Sequence, residues 1–149
     1  MSGYTHTQSL GHQTGLASRL FNKLLTRRFR EAGIEMTAEQ WGVIQVLING
    51  GAMSQGQLGE MLYLEKSTIS RSVSGLEKRG WVAWQKSAED ARQKLIVLTP
   101  NAENVARQCY DIARGVLRDA QAGLDPEALT LSQLQLADVI NNLRTLNQS

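Results

Sequence analysis

The sequence predicts a mainly α chain with one small antiparallel β-hairpin. Three observations carry that class. Apolar residues recur at helical spacing over most of the 149 residues, the mark of amphipathic helices. The period changes to two only in "WVAWQK" (81–86) and "KLIVLT" (94–99), which read as short strands rich in Trp, Val, Ile and Leu. The segment between them, "SAEDARQ", is polar and charged, as an exposed hairpin tip is. At this length the chain is one domain or a tightly joined pair, with residues enough for a core.

The elements follow in order. Residues 1–8 are polar and expected to be irregular. A first helix is expected from about Leu10 to Arg30, with Leu10, Ala17, Leu20, Phe21 and Leu24 as its stripe. Lys23, Arg27, Arg28 and Arg30 suit its C-terminal end, and Gly33 can stop it. Thr37-x-x-Gln40 is a capping box for a second helix, which is expected to hold Trp41, Ile44 and Leu47–Ile48 inside and to stop at Gly50-Gly51. Ser54-x-x-Gln57 caps a third, short helix with Leu58, Met61 and Leu62 apolar. Tyr63-Leu64-Glu65 is long enough only for a turn. A fourth helix then runs to Arg79, with Gly80 just beyond it. After the hairpin, Thr99-Pro100 starts a fifth helix, with Thr as N-cap and Pro in the first position. Val105, Cys109, Ile112 and Val116 form its stripe. Asp125-Pro126 starts the sixth in the same way, and it runs to about Leu146. Leu136, Val139, Ile140 and Leu143 share one face of it, while Leu131 and Leu134 lie off that face. A helix apolar on more than one side must bury the remainder somewhere.

The fourth helix, "KSTISRSVSGLEKR", spends helical positions on hydroxylic residues that form helices poorly. Ile69, Val73 and Leu76 fall at i, i+4 and i+7 and make the core stripe. At about 100° per residue, Ser67, Ser70, Arg71, Ser74 and Lys78 gather on the opposite side. That face is small, hydroxylic and basic. It permits close approach, offers donors and acceptors, and suits phosphate, as the major groove of DNA requires. The charge distribution agrees. Residues 65–99 carry seven basic and four acidic residues, +3, against +1 for 1–64 (five and four) and −2 for 100–149 (four and six). The whole chain is only +2, so the basic excess is local to this segment.

Helix, helix, three-residue turn, helix, hairpin is the order of a helix-turn-helix followed by a wing. Residues 36–99 are expected to form that lobe. The recognition helix presents Lys66, Ser67, Thr68, Ser70, Arg71, Ser74 and Lys78, with Ser67 and Thr68 near amides that point toward phosphate. The wing presents Lys86, Asp90 and Arg92. Arg92 is expected in a minor groove, directed by a bidentate pair with Asp90. Ser54, Gln55, Arg79 and Lys94 are assigned to phosphate.

These residues carry a resemblance to a known family. "LEKSTISRSVSGLEKRGWV" (64–82) resembles the recognition helix of the MarR family of winged-helix regulators, and "EDAR" and "LIVLT" resemble its Asp-x-Arg wing and Leu-Thr strand end. The flanking layout, one long helix before the lobe and two after, is similar too. The resemblance covers about residues 8–147. It implies a homodimer held by helices within 8–33 and 100–147, acting as a cytoplasmic transcriptional regulator. It implies a repressor released by a small phenolic or acidic effector, or by oxidation. An effector pocket lined by Phe21, Arg28, Trp41 and Tyr110 is expected on the same ground. The chain departs from the family pattern at Ala91, Trp84 and Asn101-Ala102, the first two removing cations common near the wing.

Other chemistries find little support. Cys109 stands alone, which rules out an internal disulfide, and its apolar stripe favours a buried inert thiol. His6 and His12 are six apart and do not share a helix face, so no metal or other cofactor is expected. No run of eighteen apolar residues and no basic-then-apolar leader occurs, so no membrane partner is expected. No catalytic set of Ser/His/Asp, Cys/His or paired carboxylates stands out, which argues against an enzyme. The alternative function is a dimeric winged-helix adaptor or antirepressor that binds protein rather than DNA.

Overall fold

A computed structural model of the chain describes residues 5–148. A 3-10 turn at His6–Gln8 precedes α1 (Leu10–Glu31), α2 (Ala38–Gly50), α3 (Gln55–Leu62), α4 (Lys66–Lys78), β1 (Val82–Lys86), β2 (Lys94–Leu98), α5 (Pro100–Ala120) and α6 (Pro126–Asn147). The mainly α class with one hairpin is therefore the observed one. The irregular start expected over residues 1–8 is corrected at 6–8, where Gln8 N–H donates to Thr5 O at 2.8 Å; residues 1–4 lie outside the described residues. The chain divides into two compact units, the first ending at Val116 and the second beginning at Leu117.

Local chemistry sets the helix starts of the first unit. Thr37 Oγ1 accepts from Gln40 N–H at 3.0 Å, and Gln40 Oε1 accepts from Thr37 N–H at 3.0 Å. Ser54 and Gln57 repeat this reciprocal pair for α3 at 3.2 and 2.9 Å. Each cap is worth about 1 kcal/mol, which matters for an α3 of only eight residues. The turn 63–65 begins with Tyr63 in the left-handed region at φ 53°, and α4 ends before Gly80 at φ 77°, where the absence of a Cβ removes the steric cost.

One core joins these elements. Phe29 of α1, Ile44 of α2, Leu58 of α3, Ile69 and Leu76 of α4 and Ile96 of β2 are all fully buried. Ala106 and Cys109 bring α5 into the same cluster. The hairpin pairs in the register Val82↔Leu98 to Lys86↔Lys94, which puts Val82 and Ile96 inside. A bridge unmarked by periodicity fastens its root: Ile96 N–H donates to Met53 O at 2.7 Å, and Met53 N–H donates to Ile96 O at 3.2 Å. Thr99 fastens it again, donating its hydroxyl to Gly80 O at 2.5 Å and its N–H to Trp81 O at 3.1 Å. The wing is thereby held to the end of α4 by directional bonds.

In the second unit, Asp125 Oδ2 accepts from Ala128 N–H at 3.1 Å and caps α6. No residue of α6 is buried, and Leu131, Leu134, Ile140 and Leu143 stand exposed. Among the described residues no helix is long and apolar enough to cross a membrane.

Candidate nucleic-acid interface

The interface is built on α4. Ile69, Val73 and Leu76 are at most 2% exposed, while Lys66, Ser67, Ser70, Arg71, Ser74 and Lys78 are exposed and Thr68 is half-buried. The helix is thus rotated as its periodicity requires. Lys66, Arg71 and Lys78 make no ion pair within the described residues, so their charge is available to an anion. No side chain caps the helix at Glu65, which leaves its first amides to an outside acceptor.

Ser72 is the hydroxyl that sequence reasoning did not separate from the others. It is 5% exposed, and its Oγ donates to Glu39 Oε1 at 2.8 Å. No local pattern announced a partner 33 residues away.

The assigned phosphate residues separate into two kinds. Lys94 is exposed and lies directly opposite Lys86 of the wing, also exposed, across the hairpin. Like charges in that position repel, and an anion between them relieves the repulsion. Ser54 and Gln55 are half-buried and already engaged. Ser54 Oγ caps α3, and Gln55 Nε2 donates to Lys66 O at 3.2 Å, tying the starts of α3 and α4 together. Arg79 forms an ion pair with Glu35. An open cleft of about 920 Å³ runs between these elements and the wing, bordered by Gln55, Tyr63, Lys66, Trp84, Arg92 and Lys94.

At the wing tip, Arg92 N–H donates to Asp90 Oδ1 at 3.0 Å, and Arg92 Nε lies 3.5 Å from the same oxygen. The contact is one-point, not the bidentate fork that the spacing suggested. Asp90 therefore acts first as the acceptor that closes the turn and only second as an ionic partner. The Arg92 side chain is 94% exposed, so it projects from the lobe.

The four residues expected in an effector pocket do not converge on one cavity. Trp41 is 2% exposed, wedged edge-on between Phe29 and Tyr110 with ring centroids at 6.1 and 4.9 Å. Phe21 lies at the surface and Arg28 is half-buried. Tyr110 alone borders a cavity of about 680 Å³, together with Leu47, Ile48, Ala106, Arg107 and Arg114. Cys109 is fully buried, and loss of hydration pushes its thiol up to about 11.

Residues 34–93, from just before α2 to the wing tip, match the MarR family. The uncharacterized HTH-type transcriptional regulator YwoH of Bacillus subtilis (strain 168) is 35% identical over 92 residues, which are 62% of this chain and 65% of YwoH. The chain thus spans just under two thirds of that relative. A mutant MarR from E. coli, complexed with operator DNA, superposes with a TM-score of 0.79 at 18% identity, over 90% of this chain and 95% of that one. The PcaV transcriptional regulator from Streptomyces coelicolor, in complex with its natural ligand, gives 0.77 at 22% identity, over 95% and 98%. At these identities the two superpositions speak for the fold. Over residues 34–93, which carry most of the winged helix-turn-helix, the chain matches the MarR family, and its fold is that of these solved regulators.

Proposed function

We propose that the chain is a sequence-specific DNA-binding regulator, a cytoplasmic homodimeric repressor on a pseudo-palindromic operator. The observation that carries this is the division of α4. Its apolar stripe is buried and its hydroxylic, basic face is exposed, with three cations that make no ion pair among the described residues beside a projecting Arg92. Serines permit close approach to base edges, Arg71 supplies a guanidinium for a guanine edge, and Lys66, Lys78, Lys86 and Lys94 supply phosphate contacts. The match to an HTH-type regulator supports the same reading.

A second copy of the chain is the partner that the remaining apolar surface suits. Leu10, Leu20 and Phe21 on α1, and Leu131, Leu134, Ile140 and Leu143 on α6, are all more than a third exposed, more than a monomer leaves in water without use. For an effector, the cavity beside Tyr110 offers apolar walls, two guanidiniums, Arg107 and Arg114, and one carboxylate, Glu103. That chemistry suits a small phenolic or acidic molecule. Arg114 also pairs with Asp111 at 2.7 Å, so a carboxylate ligand competes with that pair. The test is a gel shift with the DNA flanking the chain's own gene. A retained, competitor-resistant complex is expected, and its absence at low salt would refute the reading.

A further inference from the structure

The seam between α4 and the start of α2 does more than bury surface. The buried stripe of Ile69, Val73 and Leu76 turns α4 toward the core, but apolar contacts are non-directional, so the fine setting of its roll is left to directional contacts. Two contacts on one flank of the helix restrict it. Ser72 Oγ donates to the carboxylate of Glu39 at 2.8 Å. One turn further on, Gly75 lies so close to α2 that a Cβ on it would meet Gln40 Nε2 at 2.5 Å. Gln40 is itself fixed, because its Oε1 accepts from Thr37 N–H in the capping box. Glu39 sits in the first turn of α2, where the helix dipole favours a carboxylate. The flank is therefore anchored to a helix start that is rigid on its own account.

We propose that Glu39 is a positioning residue for DNA recognition. Through its bond to Ser72 it fixes the roll of α4, and so aims Ser70, Arg71 and Ser74 at the base edges. This rests on the DNA-binding reading above. The bond is directional, and its loss lets the whole recognition face turn. It contributes little to the core, because Ser72→Ala removes the donor while the exposed Glu39 carboxylate regains water. Discrimination between sequences should suffer, and attraction to phosphate should not.

A duplex selected by the wild-type chain from a randomised pool, and an unselected duplex of equal length, serve as probes. The readouts are the ratio of the two affinities and the melting temperature. Ser72→Ala and Glu39→Ala should each lower the ratio about tenfold, the scale of one hydrogen bond. Their double variant should do no worse than either, since both remove one interaction. Glu39→Gln, which keeps the acceptor and loses the charge, should retain the ratio. Wild-type ratios in Ser72→Ala and Glu39→Ala would overturn the clamp. So would equal losses in Glu39→Gln and Glu39→Ala, because Glu39 would then act by charge alone. Failure of the wild type to select any duplex is a separate result, and it would remove the DNA-binding reading on which the inference stands.

Discussion

Replacing Arg92 by alanine separates folding from recognition at the wing. The side chain is 94% exposed and its ionic partner Asp90 is 52% exposed, with Nε 3.5 Å from Oδ1. Two charges at that distance in a water-like medium attract by about 1 kcal/mol before the entropy of holding them is subtracted, and exposed pairs measure roughly 0.2–1 kcal/mol. The turn itself does not need the guanidinium, because Asp90 closes it on the backbone N–H of residue 92 at 3.0 Å, which alanine keeps. Stability should therefore fall by less than about 0.5 kcal/mol, a melting shift of about 1–2 °C for a domain of this size. Binding should fall roughly tenfold, about 1.4 kcal/mol, on duplexes with A·T-rich flanks, where the narrow minor groove concentrates negative potential. The fall should be smaller on G·C flanks. Asp90→Asn should leave the turn intact and bind nearly as wild type, and Asp90→Ala should lose both turn and aim. A thermal melt beside fluorescence-anisotropy titrations on the two flank types reads all of this. Equal losses on both flanks would mean that Arg92 meets phosphate only. A collapsed melting temperature would mean that the wing was misread as a projecting element.

Three further outcomes follow from the same geometry. Arg71→Ala should cost about 1–3 kcal/mol at a selected site and relax the base preference there, whereas Lys78→Ala should weaken all sequences alike and reduce the salt slope by about one unit; competition titrations over a salt series distinguish them. Cys109 should resist maleimide at pH 8 until the chain is denatured, because burial raises its thiol from 9.0 to about 11. The neutral thiol is the form that the fold favours, so its contribution to stability is complete below about pH 9 and is lost as pH rises toward 11, which melts from pH 8 to 11 would follow against a Cys109→Ala control. Leu76→Ala, at a fully buried position, should cost about 2–5 kcal/mol by chemical denaturation, while the bond from Trp81 N–H to the backbone carbonyl of residue 76, 3.0 Å long, is kept.

What was legible in the sequence was local. Thr37-x-x-Gln40 and Ser54-x-x-Gln57 announced their capping boxes because donor and acceptor lie three residues apart. The face of α4 was legible because a 3.6-residue period divides Ile69, Val73 and Leu76 from Ser67, Ser70 and Arg71 without any tertiary knowledge. The Met53–Ile96 bridge carried no periodicity, being a single residue in a Gly-Ala-Met-Ser stretch. Glu39 with Ser72 and Glu35 with Arg79 are joined only by the packing of α2 and its approach against α4, so neither pair had a sequence signal. Trp41 shows the same limit from the other side. An aromatic at helical spacing reads alike as pocket wall or core, and here its rings pack edge-on into the core.

The central claim is that two copies of this chain read DNA through α4 and the wing. Footprinting of the full chain on the DNA flanking its own gene tests it most directly. The expected result is a protected pseudo-palindrome with half-site centres about 10 bp apart, one helical turn, and hydroxyl-radical protection extending into A·T-rich minor grooves on both flanks. A single asymmetric half-site protected by a monomer would contradict the dimeric architecture, and no protection at any concentration that saturates a nonspecific duplex would contradict the claim itself.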